Sequence, residues 1–154
     1  MSASNQKQIL GLIAWLVVSY GASLVGAVAS IQAKSFYGEL LQTAMRAVLY
    51  GLMAIAAWLV WRSGGFRTHP IALSVFLGQL VVNALWSWLF FVWHLGAWAF
   101  ADTVLLWILI MATLICFWRV RPLAGVLLLP YLLWVSFASA LNYALWQLNP
   151  ELLG

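Results

Sequence analysis

Between Gln79 and Phe91 the sequence reads QLVVNALWSWLFF. On a helix, Gln79, Asn83, Trp86, Ser87 and Phe90 fall at i, i+4, i+7, i+8 and i+11 and share one face. The stretch is apolar enough for a bilayer, yet it carries amides, a hydroxyl and two indoles, Trp86 and Trp88. A polar amide in hydrocarbon is costly unless another group meets it. This face must therefore look inward, at other helices or at a ligand. Trp134, Ala138, Leu141 and Leu145 make a comparable face further on, with Asn142 and Tyr143 beside it. Broad indole faces suit a flat hydrophobic molecule, with an amide to orient it. Helix packing is the competing account of Trp86, Trp88, Trp107 and Trp134, and the sequence leaves both open.

Other chemistries fit poorly. His69 and His94 bracket one apolar run about 25 residues long, or about 37 Å of helix, so they cannot share a metal or a haem. Both lysines, Lys7 and Lys34, lie outside the apolar runs. This disfavours a Schiff base inside the bundle. One cysteine, Cys116, excludes an internal disulfide and a cysteine metal cluster. There is no phosphate-binding glycine loop and no serine nucleophile elbow. No catalytic residue, metal site or resident cofactor is assigned. Asp102 has two readings: a functional acid within the membrane, or a carboxylate near water at a helix start. So few ionisable groups also count against an ion-coupled pump.

The elements that must position these residues follow from composition. The 154 residues are 66% hydrophobic and 6% charged, whereas soluble domains have about 45–50% apolar and about 25% charged residues. Long apolar runs without two-residue alternation predict an all-α membrane protein, a bundle of five transmembrane helices in a single domain over 1–154. The expected helices cover about 9–31, 43–61, 70–93, 97–118 and 122–148. Pro70 and Pro122 suit helix starts, and Pro130 suits a local kink. Residues 32–42 read as a polar connection. Ala27-Val28-Ala29 resembles a signal cleavage site, but the apolar run is longer than a signal core. Trp15, Trp61, Trp93, Trp98, Trp118 and Trp146 fit an interfacial belt. Lys7, Arg62, Arg67, Arg119 and Arg121 gather on one side, which predicts a cytoplasmic N-terminus in a bacterial cell membrane. The formal charge of +4 is explained by this topology, and no nucleic-acid partner is expected.

Val82-Asn83-Ala-Leu-Trp86-Ser-Trp-Leu-Phe-Phe91 resembles the third helix of the TspO/MBR family of tryptophan-rich sensory and translocator proteins. Pro130-Tyr131-Leu-Leu-Trp134-Val-Ser-Phe137-Ala138 and Leu141-Asn142-Tyr143-Ala-Leu-Trp146 resemble its fifth. Leu49-Tyr50-Gly-Leu-Met53-Ala-Ile-Ala56 resembles its second, and Asp102 matches the acid of its fourth. The resemblance covers nearly the whole chain. It implies a five-helix bundle in the lipid bilayer, often a homodimer, that binds porphyrins, sterols and synthetic benzodiazepine-type ligands. Porphyrin is implied as a ligand, not as a bound cofactor. The implied pocket contains Tyr37, Tyr50, Asn83, Trp86, Ser87, Trp134, Ala138 and Leu141, with Arg46, Phe90, Asp102 and Asn142 as further candidates. Binding and sensing of a tetrapyrrole leads. Translocation of porphyrin, sterol or lipid, and porphyrin breakdown under light or oxidant, are the alternatives.

The chain departs from the family pattern twice. The Trp and Pro-Pro segment before the second helix is absent, which predicts a more open pocket and puts lid-dependent activity in doubt. Arg46 stands four residues before Tyr50, where the family usually has a pocket tryptophan. It could pair with a porphyrin propionate or reach outward to lipid headgroups. The sterol pattern around Tyr143 lacks its basic end, so sterol recognition is poorly supported. Small-residue faces at Ala22, Gly26 and Ser30, and at Ser74 and Gly78, suit either a dimer or packing within the subunit.

Overall fold

The structure is a computed structural model that describes residues 3–29 and 36–153, with side chains for 5–26 and 41–151. Five long helices dominate: α1 (Ala3–Ala29), α2 (Phe36–Arg62), α4 (Pro70–Phe91), α5 (Gly96–Val120) and α6 (Pro122–Leu148). Two single-turn helices, α3 (Gly65–Thr68) and α7 (Pro150–Leu153), complete the order. Each long helix holds an apolar stretch of at least 22 residues, enough to cross hydrocarbon about 30 Å thick.

Helix starts follow local chemistry. Pro70 and Pro122 occupy the first turns of α4 and α6, where a missing N–H costs nothing. Gly64 (φ 137°) and Gly65 (φ 64°) turn the chain between α2 and α3 in backbone that favours glycine. His94 (φ 53°) makes the turn between α4 and α5. α6 runs unbroken through Pro130, which leaves the Val126 carbonyl without its usual partner. The expected boundary of the second helix needs correction. α2 begins at Phe36, not near 43, because Glu39-Leu40-Leu41-Gln42 are good helix formers. Their polarity marks the edge of the hydrocarbon, not the end of the helix.

α1 packs on α2 and α4, α2 on α6, α6 on α5, and α5 on α4. The ring order is therefore α1–α2–α6–α5–α4. Phe76 is fully buried at its heart, edge-on to Trp15 and tilted against Phe117 at 5.7 Å. Trp15 thus departs from the interfacial expectation: it is a core residue that also stacks on Phe66. Trp93, Trp98 and Trp118 are exposed, as a belt requires. Gly26 sits where a Cβ would lie 3.0 Å from Ser87 Oγ, so this part of α1 packs within the subunit. Gly78 faces open space.

The two ends of the ring differ. At one end Arg121 Nε donates to Ser63 Oγ (3.1 Å). There too the Arg62 guanidinium lies over the Trp58 ring, 4.6 Å from its centroid, and Trp58 Nε1 donates to the Gln8 carbonyl (2.9 Å). The opposite end, with the turn between α4 and α5 and the C-terminal half of α6, holds a cavity.

Candidate functional site

The cavity has a volume of about 310 Å³ and draws its walls from all five long helices. α4 contributes Asn83, Trp86, Ser87 and Phe90, four of the five residues on the face read from spacing. The fifth, Gln79, is fully buried one turn earlier and donates from Nε2 to Met53 Sδ at 3.5 Å, so it serves packing between α4 and α2. Asn83 Nδ2 donates to the Tyr50 hydroxyl, which ties the cavity wall of α4 to that of α2. The Trp86 indole stacks on Phe90, with centroids 5.6 Å apart and planes 13° apart. Phe91 stands edge-on to both rings. This aromatic wall presents ring faces and edges to one space.

α6 contributes Tyr131, Trp134, Val135, Ala138, Leu141 and Asn142, at i, i+3, i+4, i+7, i+10 and i+11, a single helical face. α5 adds Thr103 and Leu106, and α2 adds Gln42, Arg46, Leu49 and Tyr50. Phe137, Leu141 and Gln42 line the cavity and are also exposed. They mark its open side, between α2 and α6.

Three buried polar atoms in these walls have no partner: Trp86 Nε1, the Tyr131 hydroxyl and Asn142 Oδ1. Tyr131 is 3% exposed and Asn142 2%. The Asn142 amide has a defined orientation. Thr103 Oγ1 donates its single proton to the Ala99 carbonyl (2.7 Å). It must therefore accept from Asn142 Nδ2 (3.2 Å), which leaves Oδ1 as a free acceptor. A buried polar atom without a partner costs about 1–3 kcal/mol.

Of the residues proposed from sequence, Tyr50, Asn83, Trp86, Ser87, Trp134, Ala138 and Leu141 are gathered in this one cavity, together with Arg46, Phe90 and Asn142. The Tyr37 side chain lies outside the described residues. Of the two readings of Asp102, the carboxylate near water is the one the burial corrects. It is 8% exposed in the second turn of α5, so it is not at water, and it lies outside the cavity wall. One position along the helix turns it about 100° away from Thr103, which does line the wall. Trp107 is also outside the wall: its Nε1 donates to Ser136 Oγ across α5 and α6 (2.9 Å). Sequence reading missed Tyr131, Thr103, Leu106 and Phe91. Tyr131 was within reach, since it precedes Trp134 by three residues on the same face. The Thr103–Asn142 pair was not, because spacing within a helix says nothing about its neighbours. Among the described residues no cluster of His, Cys, Asp and Glu could hold a metal.

Five membrane-length helices around an aromatic cavity with unpartnered polar atoms define an integral membrane protein equipped to receive a hydrophobic molecule. The chain belongs to the TspO/MBR family, whose model matches residues 13–147. It is 39% identical over 103 residues to the translocator protein of Sus scrofa, covering 66% of this chain and 61% of that protein. It is 41% identical over 105 residues to protein CrtK of Rhodobacter capsulatus, covering 66% and 64%. Identity to the tryptophan-rich protein TspO of Chlorobaculum tepidum is 40% over 104 residues, covering 67% and 66%. The matched segment thus spans somewhat less than two thirds of the length of these relatives.

Proposed function

We propose that the protein is a membrane receptor for a flat hydrophobic ligand of tetrapyrrole type, held in the cavity between α2, α4, α5 and α6. The observation that carries this reading is the stacked Trp86–Phe90 pair lining one cavity together with Trp134, Ala138 and the Asn83 amide. Aromatic walls stack on a planar ring system, and Asn83 supplies an amide among the lining residues to orient it. The volume is at the lower end of the roughly 300–1,000 Å³ of small-molecule sites. A macrocycle would therefore enter with one edge and leave the other at the open side marked by Phe137 and Leu141. The cationic end, with Lys7, Arg62, Arg67, Arg119 and Arg121, faces the cytoplasm in this reading, and the cavity belongs to the outer half of the bundle.

Quenching of tryptophan fluorescence by protoporphyrin IX tests the site. Saturable quenching is expected, with affinity lowered by Trp134→Phe and by Asn83→Ala while far-UV dichroism stays helical. Non-saturating quenching that neither variant alters would mean partition into the micelle, and would remove this site.

A further inference from the structure

Among the described residues, Arg46 is the one cation in the cavity wall. It continues the inward stripe of α2: Gln42, Arg46, Leu49, Tyr50 and Met53 follow i, i+4, i+7, i+8 and i+11. The first four line the cavity and Met53 is fully buried. The residues around Arg46 off that stripe, Met45, Ala47 and Val48, are exposed, whereas Arg46 is half-buried. Its place on this stripe favours the inward orientation over the one towards lipid headgroups. Among the described residues Arg46 has no ion-pair partner, and no carboxylate lines the cavity. Asp102 is outside the wall, Glu151 is exposed beyond the end of α6, and the Glu39 side chain lies outside the described residues. A guanidinium held inside a bundle of this kind is costly without a counter-charge and finds its best one in a carboxylate.

We infer that the cavity selects an anionic ligand, a flat apolar body bearing a carboxylate, with Arg46 as the residue that determines this preference. The inference rests on the site proposed above and names the chemical class of its occupant. Arg46 sits one turn before Tyr50, whose hydroxyl receives the Asn83 amide. A carboxylate paired with Arg46 would thus leave the attached ring system beside Asn83 and the Trp86–Phe90 stack.

The test compares protoporphyrin IX with its dimethyl ester, which has the same ring but no carboxylate, on the full chain in phosphatidylcholine nanodiscs. The wild type is expected to bind the acid about tenfold more tightly than the ester, equivalent to about 1.4 kcal/mol. Arg46→Gln should abolish that preference by weakening the acid alone. Arg46→Lys, which keeps the charge without the planar fork, should retain part of it. Equal affinity for acid and ester in the wild type would overturn the inference and assign Arg46 to lipid phosphate. An Arg46→Gln variant that weakens both ligands alike would overturn it as well. Trp134→Phe separates the two levels. If it weakens acid and ester equally while Arg46→Gln leaves their ratio unchanged, the site stands and only its charge selectivity fails. If Trp134→Phe changes neither, the site itself fails.

Discussion

Two buried threonines on α5 isolate one hydrogen bond between helices. Thr103 and Thr113 are 2% and 0% exposed, and each donates its hydroxyl at 2.7 Å to the carbonyl four residues earlier. Only Thr103 also accepts from another helix, at 3.2 Å from Asn142 Nδ2. Valine removes the hydroxyl with little change of shape, so each Thr→Val change loses the same bond within the helix. Thr103→Val additionally strands a buried amide. Hydrogen bonds between membrane helices are worth about 0.6 kcal/mol on average and up to about 1.7. Asn142 already has one unpartnered oxygen and almost no access to water, which favours the upper half of that range. Thr103→Val should therefore cost about 1 kcal/mol more than Thr113→Val, roughly a fivefold difference in the unfolding equilibrium constant. Unfolding in mixed micelles of mild detergent and dodecyl sulfate, followed by tryptophan fluorescence, reads the difference. Adding Asn142→Leu to Thr103→Val should recover part of the loss, since removing both partners leaves no stranded group. Equal destabilisation by the two threonine variants would refute the pairing and, with it, the orientation of the Asn142 carbonyl.

Further expectations follow from packing. Phe76→Ala, at the contact with Trp15 and Phe117, should cost about 3–5 kcal/mol in the same assay. Gly11→Ala should destabilise by about 1–3 kcal/mol, because a Cβ there collides with the Trp61 ring. Gly78→Ala, pointing into open space, should be neutral or stabilise by up to about 1 kcal/mol from helix propensity. Gly26→Leu would push a side chain towards Ser87 at the cavity wall; ligand titration should show at least about a tenfold loss of affinity, with helicity retained by circular dichroism.

The α4 wall was legible in the sequence because polar and aromatic residues at helical spacing stand out against an otherwise apolar run. Asn83, Trp86, Ser87 and Phe90 therefore declared a face before any partner helix was known. The five spans were legible for the same reason, since length and hydropathy are local properties. The start of α2 was not, because the run of hydrophobicity ends where the hydrocarbon ends while the hydrogen-bonded helix continues through Glu39 and Gln42. Arg46 and Asp102 were ambiguous because each lies near an end of its span, where a charge can turn either way. Only the stripe it shares with Leu49 and Tyr50 turns Arg46 inward, and only the position of α6 against Thr103 shows that Asp102 is on a different flank. The fate of Trp15 likewise depends on Phe66 and Phe76, which are distant in sequence.

Protection of a cysteine placed in the wall tests the central claim most directly. In a Cys116→Ser background, Ala138→Cys puts a thiol on the α6 wall of the cavity, and Ser74→Cys puts one on the exposed face of α4. Labelling by a small methanethiosulfonate is measured with and without protoporphyrin IX. At a free ligand concentration of about ten times Kd, mass action predicts about an elevenfold slowing at Ala138→Cys and no change at Ser74→Cys. Identical rates at Ala138→Cys with and without ligand, under conditions where binding is saturated, would place the ligand elsewhere and contradict the account.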